Sequence, residues 1–340
     1  MAALAKVQSQ VRLRSRPTGI PAAADFQVTH GPVTEPAEGE IVVRNRFLSV
    51  EPAMRGWVAD LDNYAPPVAI GAVMRAFAAG EVVASRHQGY AEGDRVMGMF
   101  GWQEYATVPA GAVTRKVVET DLPLSLSLGV LGINGVSAYF GLTDIGRPVR
   151  GETVLVSTAA GAVGSAVGQI AKVIGCRTVG LAGGPDKTRM CTDVFGFDAA
   201  LDYKALDDGL GAAVAATCPD GIDVYFDNVA GAISDAVVPH LALRGRVVVC
   251  GTASIAQWNP RPSGPRRERI LLTRRARMEG FVVFDYQDRY EEAVGHLAGW
   301  VRDGRLRYAE DFLDGIDACP DAIAGLYRGS NLGKRIIRLD

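Results

Sequence analysis

Residues 152–187 restrict the possible folds of this chain more than any other stretch. Thr153–Val156 is a short apolar, β-branched run, which predicts a buried strand. Ala159–Gly164 follows it and fits the pattern G-x-G-x-x-G, with alanine in place of the first glycine. A second apolar run, Thr178–Leu181, predicts another strand. Between the two strands, apolar residues recur at the spacing of one helix face: Val163, Val167, Ile170, Val173 and Ile174.

Strand, glycine turn, helix and strand in this order predict a βαβ unit that binds a dinucleotide. Gly161 would let the backbone approach a pyrophosphate, and Gly164 would let helix and strand pack closely. The positive end of the helix would face the phosphates. The alternative is a tight turn in an ordinary α/β domain. Because a strand precedes the turn and a helix follows it, the pattern favours cofactor binding.

The end of the second predicted strand indicates which cofactor. A site for NAD usually has Asp or Glu there, which accepts a hydrogen bond from the ribose 2′-hydroxyl. This chain has Gly183 and Gly184 instead, with Lys187 and Arg189 close behind, and Asp186 lies beyond the glycine pair. With no carboxylate at the strand end and cations nearby, the sequence favours NADPH. The alternative is that Lys187 is a solvated lysine at the start of a helix.

The composition is that of an ordinary globular protein with about two domains, since 340 residues include 48% hydrophobic and 22% charged ones. The net charge of −2 gives no basic field for nucleic acid or an anionic membrane. No apolar run is long enough for a signal sequence or a membrane span. The cysteines are odd in number and lack C-x-x-C spacing, which predicts reduced thiols in a cytoplasmic protein: Cys176, Cys191, Cys218, Cys250 and Cys319.

The chain changes character near residue 124. Before it, short strand-like runs broken by Gly and Pro predict a β-rich domain, with strands near 41–43, 46–50, 81–84, 95–99 and 104–108. After it, strands and helices alternate, which predicts a doubly wound parallel sheet covered on both faces. The predicted elements there are strands near 198–203, 222–229, 246–251 and 280–284 and helices near 207–216, 233–243 and 290–301, with a loop at 257–267.

The last residues, 311–340, are irregular and strand-like, and we expect them to fold back onto the first domain. The expected domains are therefore 1–123 with 310–340, and 124–309. Within the first domain, residues 51–57 and 62–67 are unusually aromatic and rich in turn residues. Because loops on a rigid scaffold often carry function, these segments are candidates for the substrate site.

Other catalytic patterns are mostly absent from the sequence. The four histidines are scattered, with no H-E-x-x-H and no Cys/His cluster, so no metal site is expected. The chain also lacks a Tyr-x-x-x-Lys pair and a G-x-S-x-G elbow. Hydride transfer is the reaction left for a nicotinamide cofactor in a loop-built pocket. Reduction of a conjugated carbon–carbon double bond needs only one donor for the enolate oxygen, so the sequence favours that reaction.

Several segments resemble a known family. They are SVEPAMRGW, NYAPPVAIGAVM, GEVVAS, GVSAYFGLTDIG, AAGAVGSAVGQIAK, YFDNVAG, RMEGFVVFD and SNLGK, spread over residues 49 to 333. The chain resembles the zinc-independent medium-chain dehydrogenases/reductases of the prostaglandin reductase and plant double-bond reductase group. The resemblance implies a GroES-like catalytic domain, a Rossmann domain and a homodimer. It also implies NADPH-dependent reduction of α,β-unsaturated ketones and aldehydes.

The resemblance also assigns residues to the site. Tyr64 would line the substrate pocket. Lys187 and Tyr203 would bind the 2′-phosphate. The remaining cofactor contacts would be Gly161, Ala162, Val163, Gly164, Asn228, Cys250, Gly251, Thr252, Ala253, Ser254, Phe281, Val282, Val283 and Asn331. Structural alternatives exist, because Tyr203 could be a strand-end aromatic residue, Asn228 a turn former and 281–283 part of a core strand.

One position departs from the family pattern C-G-x-I-S-x-Y-N, whose Tyr donates to the substrate carbonyl. Depending on the alignment, Ala256 or Trp258 stands there, and neither has a hydroxyl. The indole N–H of Trp258 could donate, or Trp258 could form a pocket wall. Tyr64 or a cofactor ribose hydroxyl would then stabilise the enolate. A quinone oxidoreductase and an NADPH-binding protein without turnover are the alternatives to an enone reductase.

Overall fold

The structure is a computed structural model that describes residues 5–61, 63–206, 209–255, 260 and 262–340. Contacts between residues divide the chain into two compact units. The first consists of Met1–Gly129 with Glu310–Asp340, and the second of Val130–Ala309. No helix in the described ranges is long and apolar enough to cross a membrane.

The regular elements are numbered along the chain. The strands are β1 (Val7–Leu13), β2 (Phe26–Pro32), β3 (Glu40–Ser49), β4 (Ala78–Ser85), β5 (Arg95–Gly98), β6 (Tyr105–Pro109), β7 (Val113–Lys116), β8 (Thr153–Ser157), β9 (Arg177–Ala182), β10 (Ala199–Asp202), β11 (Ile222–Asp227), β12 (Leu241–Val249), β13 (Arg277–Gly280), β14 (Glu310–Asp314) and β15 (Lys334–Arg338). The helices are α1 (Met54–Val58), α2 (Ile133–Phe140), α3 (Ala162–Ile174), α4 (Pro185–Arg189), α5 (Leu210–Thr217), α6 (Gly231–Val237), α7 (Glu268–Arg274), α8 (Tyr290–Arg302) and α9 (Cys319–Arg328).

The second unit is built on a parallel sheet with the strand order β10-β9-β8-β11-β12-β13. This is the order 3-2-1-4-5-6 of doubly wound dinucleotide-binding folds. Leu155 of β8 pairs with Val179 of β9 and with Tyr225 of β11, and all three side chains are fully buried. The strand order reverses between β8 and β11. In such sheets, ligands bind at the carboxyl ends of the strands beside this reversal.

The first unit contains a mainly antiparallel sheet with the order β14-β15-β3-β4-β5-β7, in which β6 also pairs with β3. The two strands predicted at 41–43 and 46–50 are a single strand, β3, whose register shifts at two bulges. β15 pairs antiparallel with β3, so the end of the chain completes the sheet formed by the first residues.

A buried ion pair fixes the segment before α1 in the first unit. The Nζ atom of Lys334 donates to Ser49 Oγ at 2.6 Å, to the Val50 carbonyl at 3.0 Å and to Glu51 Oε1 at 2.6 Å. A buried ammonium group is tolerated only when its protons have acceptors, and here all three have one. The β15 strand therefore anchors residues 49–51, which lead into α1.

The predictions for the βαβ unit are confirmed by β8, α3 and β9. The strand predicted at 280–284 is wrong, because β13 ends at Gly280, where its neighbour β12 also ends. The helix predicted at 233–243 is wrong at its end, because Leu241 begins β12 and pairs with Ile222. The tail was expected to be irregular and strand-like, but it contains α9 between β14 and β15. Helix α7 was not predicted.

Candidate functional site

The turn between β8 and α3 lies at the strand-order reversal of the second unit. Thr158 follows β8 with a φ of 51°, and the Gly161 N–H donates to the Thr158 carbonyl at 2.8 Å. Gly161 caps α3 without a side chain, and the first backbone bond of the helix runs from Ser165 N to Gly161 O at 3.0 Å. The N–H groups at the start of the helix therefore have no acceptor within it and can donate to a phosphate.

The glycines of this turn meet different surroundings. A Cβ atom on Gly164 would lie 2.3 Å from the Thr158 carbonyl oxygen, which is a backbone clash. A Cβ atom on Gly161 would lie 3.1 Å from the same oxygen. Gly164 is therefore required by the packing of α3 against the strand end. The N–H groups of Ala162, Val163 and Gly164 lie at the helix start, where the sequence placed the pyrophosphate.

The end of β9 forms a second part of the carboxyl edge of the parallel sheet. Gly183 and Gly184 follow β9, and Gly184 has a φ of 98°, a conformation that favours glycine. A Cβ atom on Gly183 would lie 2.7 Å from Tyr203 Oη and 2.9 Å from Lys204 Cε. The two side chains after β10 thus cover the end of β9, the position at which a carboxylate would select NAD.

The residues around Gly183 carry charges of both signs, because the Asp202 carboxylate binds Gly184 N and Lys187 and Lys204 are nearby in the chain. Lys187 is half-buried in α4, while Arg189 is exposed and paired with Asp186. Burial raises the pKa of Tyr203, and the nearby Asp202 raises it further, so the phenol stays protonated and can donate a hydrogen bond. Lys204 was missed by the sequence analysis, although its position directly after Tyr203 was a usable signal.

Asn228 joins the carboxyl ends of β8 and β11. Its backbone N–H donates to Ser157 Oγ and its Nδ2 to the Ser157 carbonyl, both at 2.8 Å. Cys250 N and Gly251 N both donate to the Asp227 carbonyl, at 2.8 and 3.2 Å. The structure therefore brings the sequence-predicted residues 250 and 251 beside Asn228 at one edge of the sheet.

The loops after β11 and β12 are tied together by Ser254, with Thr252 in the loop between Gly251 and Ser254. Ser254 Oγ donates to the carbonyls of Val229 at 2.8 Å and Ala230 at 3.0 Å. Ala230 has φ 57° and ψ −155°, a region adopted almost only by glycine.

Cys250 has no nucleophilic role in this arrangement. Burial of the thiol, together with the nearby Asp227, raises the pKa of Cys250 to about 12. The thiol is therefore neutral at physiological pH and cannot act as a thiolate.

Phe281, Val282 and Val283 follow β13 and are half-buried, so they are not the core-strand residues that the composition suggested. The Phe281 ring packs toward Gly141, where a Cβ atom would come within 2.7 Å of Cζ. It also meets Tyr286 edge-on, with 6.3 Å between the ring centroids. Because they follow the last parallel strand, these residues lie at the same carboxyl edge as the turn after β8.

Tyr64 belongs to the first unit and is 53% exposed. Its loop is held by Arg75, whose Nη1 donates to the Pro66 carbonyl at 2.8 Å. The Arg75 guanidinium also lies over the Trp57 ring, 5.8 Å from its centroid. Burial lowers the pKa of Arg75, and the nearby Tyr64 partly offsets this.

Asn331 also belongs to the first unit, three residues before the buried Lys334. Its Nδ2 donates to the Gly333 carbonyl at 2.8 Å. Trp258, the other candidate donor to the substrate, lies outside the described residues. Within the described part of the chain, no group of three or more His, Cys, Asp or Glu residues could hold a metal ion.

Comparison with known proteins gives matches over nearly the whole chain. A family profile described as the N-terminal domain of oxidoreductase matches residues 9–117, and one described as zinc-binding dehydrogenase matches residues 162–299. The NADPH-dependent curcumin reductase of Escherichia coli is 42% identical over 96% of this chain and 95% of its own length. The NADP⁺-dependent 2-alkenal reductase of Nicotiana tabacum is 38% identical over 96% of both chains.

A solved structure is similar over its whole length. It is CurA from Vibrio vulnificus in complex with NADPH, which is 39% identical and has a TM-score of 0.91, with 98% of this chain and 99% of the other covered. The cofactor named for these relatives agrees with the one expected from the end of β9.

Proposed function

Because this chain belongs to the medium-chain dehydrogenase/reductase family, we propose that it reduces the carbon–carbon double bond of α,β-unsaturated ketones and aldehydes with NADPH. The observation that carries the proposal is the end of β9, where Gly183 and Gly184 replace the acidic residue of an NAD site and Tyr203 and Lys204 lie against Gly183. Relatives named for reductions of curcumin, alkenals and pulegone support the substrate class.

The cofactor residues divide into groups by the part of NADPH that each would hold. The helix start at Gly161, Ala162, Val163 and Gly164 would bind the pyrophosphate. Lys187 would bind the 2′-phosphate through a charge-assisted hydrogen bond, and Tyr203 would donate a hydrogen bond to it from its phenol hydroxyl. The loop edges would hold the remaining parts: Asn228, Cys250, Gly251, Thr252, Ser254, Phe281, Val282, Val283 and Asn331. NADPH, when bound, supplies a hydride from its nicotinamide ring.

The Tyr64 hydroxyl would donate a hydrogen bond to the substrate carbonyl oxygen. Addition of a hydride to the β-carbon would shift the double bond to lie between the α-carbon and the carbonyl carbon and leave a negative charge on that oxygen, where a donor already in place would stabilise the enolate. Protonation of the α-carbon by solvent water would then give the saturated ketone or aldehyde. Trp258 would be a second donor or a wall of the pocket.

We also propose that the protein is a cytoplasmic homodimer. Supporting this, β13 is an edge strand of the sheet, and among the described residues only β12 pairs with it. An edge strand has unpaired backbone groups with which a second copy could pair. The cysteines are free, as expected where thiols stay reduced.

The test is a spectrophotometric assay of NADPH and NADH oxidation with a medium-chain enone, an enal, a cinnamyl-type ketone and a quinone, with product identification. We expect NADPH oxidation by the enones and a saturated ketone as product. Oxidation by the quinone alone would replace the proposal with a quinone oxidoreductase. Absence of turnover despite tight NADPH binding would favour a non-catalytic role.

Tyr64→Phe removes only the hydroxyl and should lower kcat while leaving NADPH affinity unchanged. Tyr308→Phe, at another exposed tyrosine, is the matched control and should have no effect. If kcat is the same in Tyr64→Phe and in the control, Tyr64 has no part in the mechanism.

A further inference from the structure

A carboxylate stands where the proposed function places a phosphate dianion. Strand β10 ends at Asp202, directly before Tyr203 and Lys204. Its negative charge should repel a 2′-phosphate, so its presence needs a compensating role. The hydrogen bonds of Asp202 supply one.

Asp202 Oδ1 accepts two backbone hydrogen bonds from two different segments. One comes from Gly184 N at 2.8 Å, and the other from Lys204 N at 3.0 Å. Gly184 is the residue from which α4 starts, and α4 carries Lys187. A single oxygen atom thus links the turn after β9 to the turn after β10.

This link fixes the backbone positions from which the side chains of Lys187 and Lys204 extend. Gly184 has a positive φ and also accepts a hydrogen bond from Thr188 N at 3.1 Å, so its orientation fixes the first turn of α4. On the other side, Tyr203 N donates to the Ala182 carbonyl at 3.1 Å. Between these bonds, Lys204 is exposed and its Cε lies beside Gly183.

We propose that Asp202 is a positioning residue for the 2′-phosphate of NADPH, and that Lys204 is a further cation of that site. The proposal rests on the proposed use of NADPH. Asp202 acts through its acceptor atom, which aligns the two turns, while its charge opposes phosphate binding. The ligand that this corner recognises is a phosphate monoester on the adenosine 2′-oxygen.

The two effects of Asp202 have opposite signs and can be separated. Asp202→Asn keeps an acceptor oxygen and removes the charge, while Asp202→Ala removes both. The probes are adenosine 2′,5′-bisphosphate and adenosine 5′-monophosphate, with binding to the full-length protein measured by isothermal titration calorimetry. These probes report on the corner without any turnover of substrate.

We expect Asp202→Asn to bind the 2′,5′-bisphosphate as tightly as the wild type or about two- to fivefold more tightly. Asp202→Ala should bind it about tenfold more weakly. Binding of the 5′-monophosphate should change less than about twofold in both variants, because it lacks the 2′-phosphate. The rescue by Asn would identify the acceptor atom as the important group.

Lys204→Ala tests the second part of the proposal on an exposed side chain whose removal should not affect folding. It should weaken the 2′,5′-bisphosphate about tenfold and leave the 5′-monophosphate unchanged. Lys172→Ala, which removes a lysine paired with Asp198 in the same unit, is the control and should affect neither probe.

Three results would overturn the proposal. Tighter binding in both Asp202 variants would show that Asp202 only repels the phosphate. Unchanged binding in both would show that it does not act on the site. Unchanged binding in Lys204→Ala would remove that lysine. If the binding results are as expected but no enone is reduced, the corner is correct and the proposed reaction is wrong.

Discussion

The carboxyl edge of the parallel sheet and the Tyr64 loop are built in different ways. At the sheet edge, backbone atoms stand close to one another, and a Cβ atom on Gly164 would meet the Thr158 carbonyl at 2.3 Å. The Tyr64 loop is instead held by the long side chain of Arg75, which reaches the Pro66 carbonyl. A site built from backbone tolerates little change in sequence, whereas a loop held by side chains can change its pocket without losing the fold.

The largest effect should come from Gly164→Val at the sheet edge. The branched side chain cannot avoid the Thr158 backbone, so α3 must move away from β8. We expect a loss of about 3–5 kcal/mol in the free energy of unfolding, measured by urea denaturation followed by circular dichroism.

Gly161→Ala is the matched control for this prediction. Its Cβ atom would lie 3.1 Å from the Thr158 oxygen, so a small adjustment accommodates it. Stability should fall by less than about 1 kcal/mol, while NADPH affinity falls about tenfold, because the methyl group occupies space needed by the pyrophosphate. Equal stability losses in the two variants would contradict the separate roles of these glycines.

Lys187→Ala should have the next largest effect. Losing a charge-assisted phosphate contact should cost about 1.5–3 kcal/mol of NADPH binding, or roughly 10- to 150-fold in Kd. NADH, which has no 2′-phosphate, should bind as before. Calorimetric titrations with both cofactors measure the difference. A similar loss for NADH would mean that Lys187 acts on the structure of α4 and not on the phosphate.

The contrast between the two regions also explains what the sequence could predict. The βαβ unit is encoded within a short stretch, since β-branched runs, a glycine turn and a helical period follow one another. The same stretch predicts distinct roles for Gly161 and Gly164, which differ in their surroundings as expected. Contacts between separate segments have no such local signal. The hydrogen bond from Arg75 to the Pro66 carbonyl, for example, depends on the path of the chain between the Tyr64 loop and β4.

Some of the wrong predictions were decided by contacts between distant segments, and one missed a signal that was present in the local sequence. Phe281–Phe284 has strand composition, but β12 offers no partner beyond Val249, and the Phe281 ring packs toward Gly141 instead. The helix at 233–243 stops early because Leu241 pairs with Ile222, which lies far away in the sequence. For α9 a local signal existed, since Pro320 lies in its first turn and Gly329 follows its last residue at a positive φ.

In the Tyr64 loop, Arg75→Gln should have a smaller effect than Gly164→Val and Lys187→Ala. It removes the bond to Pro66 and the cation over Trp57, which together should contribute about 1 kcal/mol to stability. We expect kcat for enone reduction to fall several-fold, with NADPH affinity unchanged. Arg86→Gln, at an exposed arginine of the same unit, is the control. Weaker NADPH binding would contradict the view that this loop serves the substrate alone.

The smallest effect should be a gain in stability from Ala230→Gly at the sheet edge. Ala230 has φ 57° and ψ −155°, a conformation that strains any residue with a Cβ atom. Relief of about 1–3 kcal/mol of strain is partly offset by the greater freedom of glycine in the unfolded chain, so we expect a net gain of about 0.5–1 kcal/mol.

Urea denaturation of the wild type and Ala230→Gly measures this gain, and Ala236→Gly within α6 is the control, which should lose about 1 kcal/mol. If both substitutions destabilise the protein equally, Ala230 is not strained. A gain in stability at Ala230 with weaker NADPH binding would mean that the strained backbone holds the loop next to Asn228 in the shape that the cofactor needs. In that case the carboxyl edge of the sheet would be less stable than it could be because its strained backbone is needed for binding. In the Tyr64 loop, by contrast, Tyr64 itself does not have a positive φ.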